Sequence, residues 1–203
     1  MTNGFHGSFC TIDQRGLITD RRAGRIPTEF NLKLVALLRS IELPGIQTFV
    51  EAVKEYRFVL VLRPTADQIL QANILDTDPQ QLGVPSLPAR AQDVESEPTA
   101  ALVNTWIGAA REILKEHPPA NSLNLRGLAK DPGVPRMSEV YGLKAAAIAT
   151  YPRYKGVARL VGMDVLHVAG ETLEDEGETI RAHWEEYDYF FFHVKKTDSA
   201  GED

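Results

Sequence analysis

The chain has 203 residues, 43% of them hydrophobic and 25% charged, with a formal net charge of −6. That length can bury a core in one large domain or two small ones, and the acidic balance gives no electrostatic reason to expect nucleic acid as a partner. A single cysteine, Cys10, excludes an internal disulfide and a cysteine-built metal site, and no apolar run reaches the length of a membrane span. No basic segment followed by an apolar one stands at the start, so a cytoplasmic α/β protein is expected.

In chain order, residues 1–7 read as a polar lead-in. Residues 8–13 and 17–20 read as two short strands joined at Gly16. From Thr28, Leu32, Val35, Leu38 and Ile41 recur at helical spacing, and Pro44-Gly45 closes that helix. Residues 46–50 and 57–63 are expected as strands. A proline-rich stretch then runs to Pro98, expected as a long surface loop. Residues 99–115 form an amphipathic helix, with Pro98 beside its first turn.

Beyond His117 the pattern changes. Residues 122–126, 145–149, 165–169 and 189–194 are short apolar runs without alternation, suited to strands of a parallel sheet buried on both faces. Helical patterns at 154–161 and 178–187 separate the later ones, as in a doubly wound sheet. The expected division is therefore a small α/β domain over residues 1–118 and part of a mainly parallel-sheet domain over 119–203. The chain stops a few residues after an apolar strand, so the polypeptide is expected to continue in the intact protein.

Four segments carry groups capable of chemistry. After the last strand come Asp198, Glu202 and Asp203; carboxylates four apart can converge on a hard divalent cation, although a helix cap and solvated acids use the same residues. Asp20-Arg21-Arg22-Ala23-Gly24-Arg25-Ile26 offers guanidinium forks to a phosphate or carboxylate, and equally could form surface ion pairs with Asp20 and Glu29. Arg126 closes a strand before Gly127, and Arg153 and Lys155 follow the next strand near a helix start; an anion pocket and plain solvated positions both fit. Asp76-Thr77-Asp78-Pro79 reads as a turn with side-chain to backbone hydrogen bonds rather than as a metal site. Residues 171–178, with five acids in eight positions, read as a solvated loop. His167 and His183 read as packing residues, and Cys10 as a buried strand residue.

Together the stretches Phe9-Cys10-Thr11-Ile12-Asp13, Asp20 to Ile26, Asp76 to Pro79, Asn121 to Gly127, Tyr141 to Ala145, Tyr154 to Met163 and His193-Val194-Lys195-Lys196-Thr197-Asp198 resemble, in order, the archaeal-type cofactor-independent phosphoglycerate mutases of the alkaline phosphatase superfamily. The resemblance implies an internal portion of an enzyme that interconverts 3-phosphoglycerate and 2-phosphoglycerate through a phosphoserine. It implies two divalent metal ions (Mn, Mg or Zn), no bisphosphoglycerate requirement and an insertion domain that closes over the substrate. Arg22, Arg25, Arg126 and Lys155 are then expected as substrate-binding residues, and Asp198 as a metal ligand. Many relatives carry histidine where Glu202 stands; a glutamate can retain the site with harder ligands, or the site can be lost. The family's nucleophilic serine segment has no counterpart here, since Ser122, Ser138 and Ser199 lie in other segments, so this chain alone is expected to be inactive. Two other readings stand beside it: a different phosphotransferase or phosphonate-processing enzyme of the superfamily, and a non-catalytic binding module derived from the mutase. The oligomeric state is not indicated.

Overall fold

The computed structural model describes residues 3–66, 69–170 and 172–194. The chain divides after Pro132 into two compact units.

The first unit is one antiparallel sheet with two helices. Strand β1 (Asn3–Ile12) lies at its centre, flanked by β4 (Arg57–Pro64) on one side and β5 (Ser122–Lys130) on the other; β3 (Ile46–Lys54) pairs outside β4, and β2 (Ile18–Asp20) meets the far end of β1. Residues 3–7, expected as a lead-in, are thus part of the central strand. Alternation along it explains why: Phe5, Gly7 and Phe9 are buried while Gly4, His6 and Ser8 between and beside them are only partly so. The β1–β2 turn forms around Asp13, whose Oδ1 accepts from the backbone N–H groups of Arg15 and Leu17, both at 2.9 Å, with Gly16 at φ 78°.

Helices α1 (Thr28–Leu38) and α2 (Glu97–Leu114) pack together, α1 on β3 and β4, and α2 on β5. They complete one core with Phe9, Phe58, Leu60, Leu123 and Leu125, in which Trp106 is fully buried. The Phe58 ring stands 4.7 Å from Phe9 and 6.4 Å from Trp106, between centroids. Leu32, expected on the buried stripe of α1, is 54% exposed. Asn31 takes the inward position instead, and its amide donates to the carbonyls of Glu55 and Arg57, both at 2.6 Å, tying α1 to the β3–β4 turn. Periodicity located the helix, but a polar residue whose partners lie 24 and 26 positions away decided which face points in.

The segment between β4 and α2 is not a plain surface loop. Leu70, Ile74, Thr77, Asp78 and Ala89 are buried along it, and Asn104 of α2 binds both backbone groups of Ala89 at 2.9 Å. Thr77 brackets the outer edge of β5: its N–H donates to Leu125 O and its Oγ1 accepts from Leu125 N, both at 2.8 Å. The strap therefore satisfies an edge that would otherwise be open.

The two units divide after Pro132, whereas the domain boundary was expected near residue 118, because β5 belongs to the first unit. Residues 122–126 were expected in a parallel sheet of the later domain, but they pair antiparallel with β1 from Cys10↔Ser122 to Asn3↔Lys130. Continuous burial of residues 122–125 is equally satisfied by an antiparallel strand roofed by a helix on one face and crossed at its edge by the strap.

The second unit carries the parallel sheet. Strand β6 (Ala145–Ala149) is central, with β7 (Asp164–Val165) and β8 (Tyr189–His193) on either side, both parallel to it. All five residues of β6 are buried, as its unbroken apolar run requires, beneath α4 (Pro152–Leu160) and α5 (Leu173–Ala182). The short helix α3 (Met137–Tyr141) ends on Gly142 at φ 67°. Strand β7 is shorter than the expected 165–169 run, and Tyr189 and Phe192 of β8 are each 40% exposed, so that strand is not sealed on both faces. The acidic stretch expected as a loop instead opens α5. Thr172 Oγ1 accepts from Asp175 N at 3.2 Å, Asp175 Oδ2 takes the Thr172 N–H at 3.0 Å, and Glu174 and Glu176 sit in the first turn, where the helix dipole favours negative charge.

Candidate functional site

One group of charged side chains of the first unit, Arg21, Asp76, Asp78 and Arg126, gathers where the segment after β2, the strap and β5 meet. Arg21 donates through Nε to Asp78 Oδ1 at 3.1 Å and through Nη2 to Oδ2 at 2.7 Å, a two-pronged pair. Asp78 Oδ1 also takes the backbone N–H of Gln80 at 2.8 Å, closing the Asp-Thr-Asp-Pro turn as the sequence suggested. Burial works against the charge on Asp78, but the hydrogen bonds from Arg21 and Gln80 and the nearby Arg21 and Arg126 charges outweigh it, and its carboxyl lies below the usual aspartate range.

That depression has a signed consequence. A carboxyl lowered in the folded state adds stability above its unfolded value, and the contribution is lost as pH falls through the folded value. Asp78→Asn should therefore lower unfolding free energy at neutral pH by about 1–3 kcal/mol, discounted because the Arg21 side chain is a third exposed. The gap between wild type and variant should narrow below about pH 4. Urea unfolding at pH 7 and pH 3 measures it; a gap that widens in acid contradicts the pairing.

Arg126 leaves β5 beside this pair. Its Nε stands 3.4 Å from Asp76 Oδ2 and its Nη1 3.7 Å from Asp78 Oδ2, with the side chain 40% exposed. Asp76 is held more tightly by a backbone group, the N–H of Gly127 at 2.6 Å. Arg126 is thus loosely paired, with donors left over for another acceptor.

Arg22 and Arg25 follow Arg21 around a short 3-10 turn (Ala23–Arg25) and are exposed, with no ion pair among the described residues. Asp20, considered above as their ion-pair partner, instead accepts from the backbone N–H of Arg22 at 2.7 Å and of Gly24 at 2.6 Å. The three arginines of this motif are thereby divided: Arg21 is tied to the strap and the other two are left to solvent. An exposed guanidinium pair of this kind can grip a phosphate or carboxylate.

Deeper in the unit lie two groups without a ligand-facing role. Burial pushes the Cys10 thiol up to about 11, which leaves it protonated and inert, as expected of a buried strand residue. Burial also lowers the Arg111 guanidinium, whose Nε and Nη2 are enclosed without an acceptor among the described residues.

Lys155, half-buried, lies in α4 of the second unit, after β6. Arg126 was expected to share a sheet with this region; it belongs instead to the antiparallel sheet of the first unit. At the end of β8, His193 stacks on Tyr154 of α4, with ring centroids 3.5 Å apart. Asp198 and Glu202, the expected metal ligands, lie outside the described residues. Among the described residues no group of three or more His, Cys, Asp or Glu side chains could hold a metal ion. His183 is not a packing residue: it is partly exposed, 3.0 Å from Glu186. No helix among the described residues is long and apolar enough to cross a membrane.

These features define a mixed α/β protein with two units, an antiparallel one bearing a cluster of arginines and a smaller parallel one. The sequence model of the 2,3-bisphosphoglycerate-independent phosphoglycerate mutases matches residues 3–120. Probable 2,3-bisphosphoglycerate-independent phosphoglycerate mutases of Thermus thermophilus and Deinococcus radiodurans are 46% and 47% identical over 201 residues, 97% of this chain and 49% of each relative. A cofactor-independent phosphoglycerate mutase structure from Thermoplasma acidophilum superposes with a TM-score of 0.71 at 29% identity, over 96% of this chain and 55% of that one. A Pyrococcus horikoshii structure, at 21% identity and TM-score 0.72, shares the fold. The chain belongs to the 2,3-bisphosphoglycerate-independent phosphoglycerate mutase family, and it spans about half the length of the curated relatives it matches.

Proposed function

We propose that these residues are an internal portion of a phosphoglycerate mutase, a cytoplasmic isomerase that interconverts 3-phosphoglycerate and 2-phosphoglycerate through a phosphoserine without bisphosphoglycerate. The single observation that carries the reading is the exposed pair Arg22 and Arg25, without an ion pair among the described residues, on a turn whose backbone is held from within. Substrate and product share a phosphate and a carboxylate, and guanidinium forks match both groups in geometry and charge. In this reading the first unit is the family's insertion domain, and Arg126 and Lys155 are further ligand residues. The second unit is part of the alkaline-phosphatase-like catalytic domain. Asp198 and Glu202 would supply oxygen donors suited to Mn or Mg, with Zn requiring histidine from elsewhere; such ions supply a nucleophile activated at neutral pH and neutralise phosphoryl oxygens.

In this reading the family's nucleophilic serine lies outside these 203 residues, so the isolated chain should not turn over. The test measures phosphoenolpyruvate formation in an enolase-coupled assay with Mn, Mg or Zn. The 203-residue chain should give no rate above buffer, and the full-length gene product should convert 3-phosphoglycerate and leave phosphonopyruvate untouched. Steady turnover by the short chain would refute the incomplete-site reading. A full-length product that ignores phosphoglycerates in every metal would refute the mutase reading, and consumption of phosphonopyruvate would favour the phosphonate-processing alternative.

A further inference from the structure

Asp20 sits beside three arginines and is paired with none of them. Its two carboxylate oxygens are each aimed at a backbone donor, Oδ1 at Arg22 N–H (2.7 Å) and Oδ2 at Gly24 N–H (2.6 Å). What these bonds hold is an uncommon backbone. Ala23, Gly24 and Arg25 all have positive φ, at 47°, 64° and 52°. Glycine occupies that region without penalty, but the two residues that carry a Cβ are strained there.

Three contacts oppose the strain. Ala23 and Ile26 are buried and anchor both sides of the turn in the core. The Arg25 N–H donates to Arg22 O at 2.8 Å and closes the turn. The Asp20 carboxylate fixes the N–H groups of Arg22 and Gly24. The result places Arg22 and Arg25 on the two shoulders of one tight turn, both exposed. Because the Asp20 oxygens face backbone donors, this carboxylate is engaged by the backbone rather than by those guanidinium groups.

We propose that Asp20 is a positioning residue: its carboxylate locks the left-handed turn that presents the Arg22 and Arg25 guanidinium groups together to the phosphate of a phosphorylated hydroxy acid. The proposal rests on the reading of Arg22 and Arg25 as substrate ligands, and it adds the residue that makes a pair of them. It also separates Arg21, held by Asp78, from the binding pair.

The test is a titration of the 15N-labelled 203-residue chain with 3-phosphoglycerate, followed by NMR at the Arg22 and Arg25 side-chain N–H groups and at the Arg22 and Gly24 amides. Wild type should bind with both side chains responding. Asp20→Ala should weaken binding by roughly tenfold or more, move the two amide resonances upfield as their carboxylate partner is lost, and leave the α2 and β6 resonances in place. Asp20→Asn keeps one acceptor and should fall between, and it decides the matter if the alanine variant does not fold. A structural role alone would shift the amides and the unfolding midpoint with unchanged affinity, and that outcome overturns the proposal. Arg22→Ala/Arg25→Ala tests the underlying reading separately: loss of binding in that double variant with wild-type affinity in both Asp20 variants sinks the positioning role alone. Unchanged binding in the double variant, or no binding by wild type, sinks both.

Discussion

Replacing Trp106 by alanine should lower the unfolding free energy of the first unit by about 3–5 kcal/mol. The indole is fully buried against Phe58 at the meeting of α2 and the sheet. Removing it deletes the transfer free energy of the ring and leaves a space bordered by residues fixed in a strand and a helix, which relax only in part. One term softens the loss, because Trp106 Nε1 is buried without a partner among the described residues, a cost that disappears with the side chain. Urea denaturation followed by far-UV circular dichroism measures the change, since the variant loses the fluorophore that would report on this unit. A loss under about 1 kcal/mol would mean that the core does not pack around α2 as described. Trp106→Phe should retain most of the stability and serves as the control.

Gly7→Val is expected to destabilise the first unit by about 1–3 kcal/mol or to prevent its folding. The reason is steric rather than conformational. Gly7 lies opposite Phe58 in the β1–β4 ladder, and the Phe58 ring crosses over it, so that a Cβ at Gly7 would stand 2.2 Å from Cε2 of the ring. No side-chain rotation at position 7 avoids this. Phe58 would have to leave its place between Phe9 and Trp106. The prediction therefore couples to Phe58: in a Phe58→Leu background the further cost of a Gly7→Ala change should shrink, which a double-mutant cycle by urea denaturation reads directly. Additive effects would show that the ring and the glycine are independent.

Much of this protein was legible residue by residue. The helices at 28–38 and 97–114, the strands at 46–54 and 57–64, the β6 strand and the Asp-Thr-Asp-Pro turn all follow from patterns contained within one element. Each such pattern records a local requirement, such as a period of about 3.6, a breaker or a side chain bonding its own backbone. The arginine-rich motif and the family resemblance were likewise visible in the linear order of short stretches. The acidic opening of α5 is present in the sequence as Thr172 followed by Asp175; charge density suggests a loop there, where a capping pair in fact specifies a helix start.

What the linear order did not contain was the choice of partner. A buried apolar run at 122–125 is the same string whether its neighbours run parallel or antiparallel; pairing with β1, more than a hundred residues earlier, assigned it to the first unit and carried Arg126 with it. The three arginines at 21, 22 and 25 are equivalent by composition, and Asp78, 57 positions from Arg21, made one of them structural. Asn31 displaced Leu32 from the core for the same reason. Local chain energetics fix which segments become helix or strand, because the interactions involved reach only a few residues. Sheet order, strand direction and the sorting of like side chains into buried and ligand-facing ones are set by contacts between distant segments, and these exist only once the chain has folded.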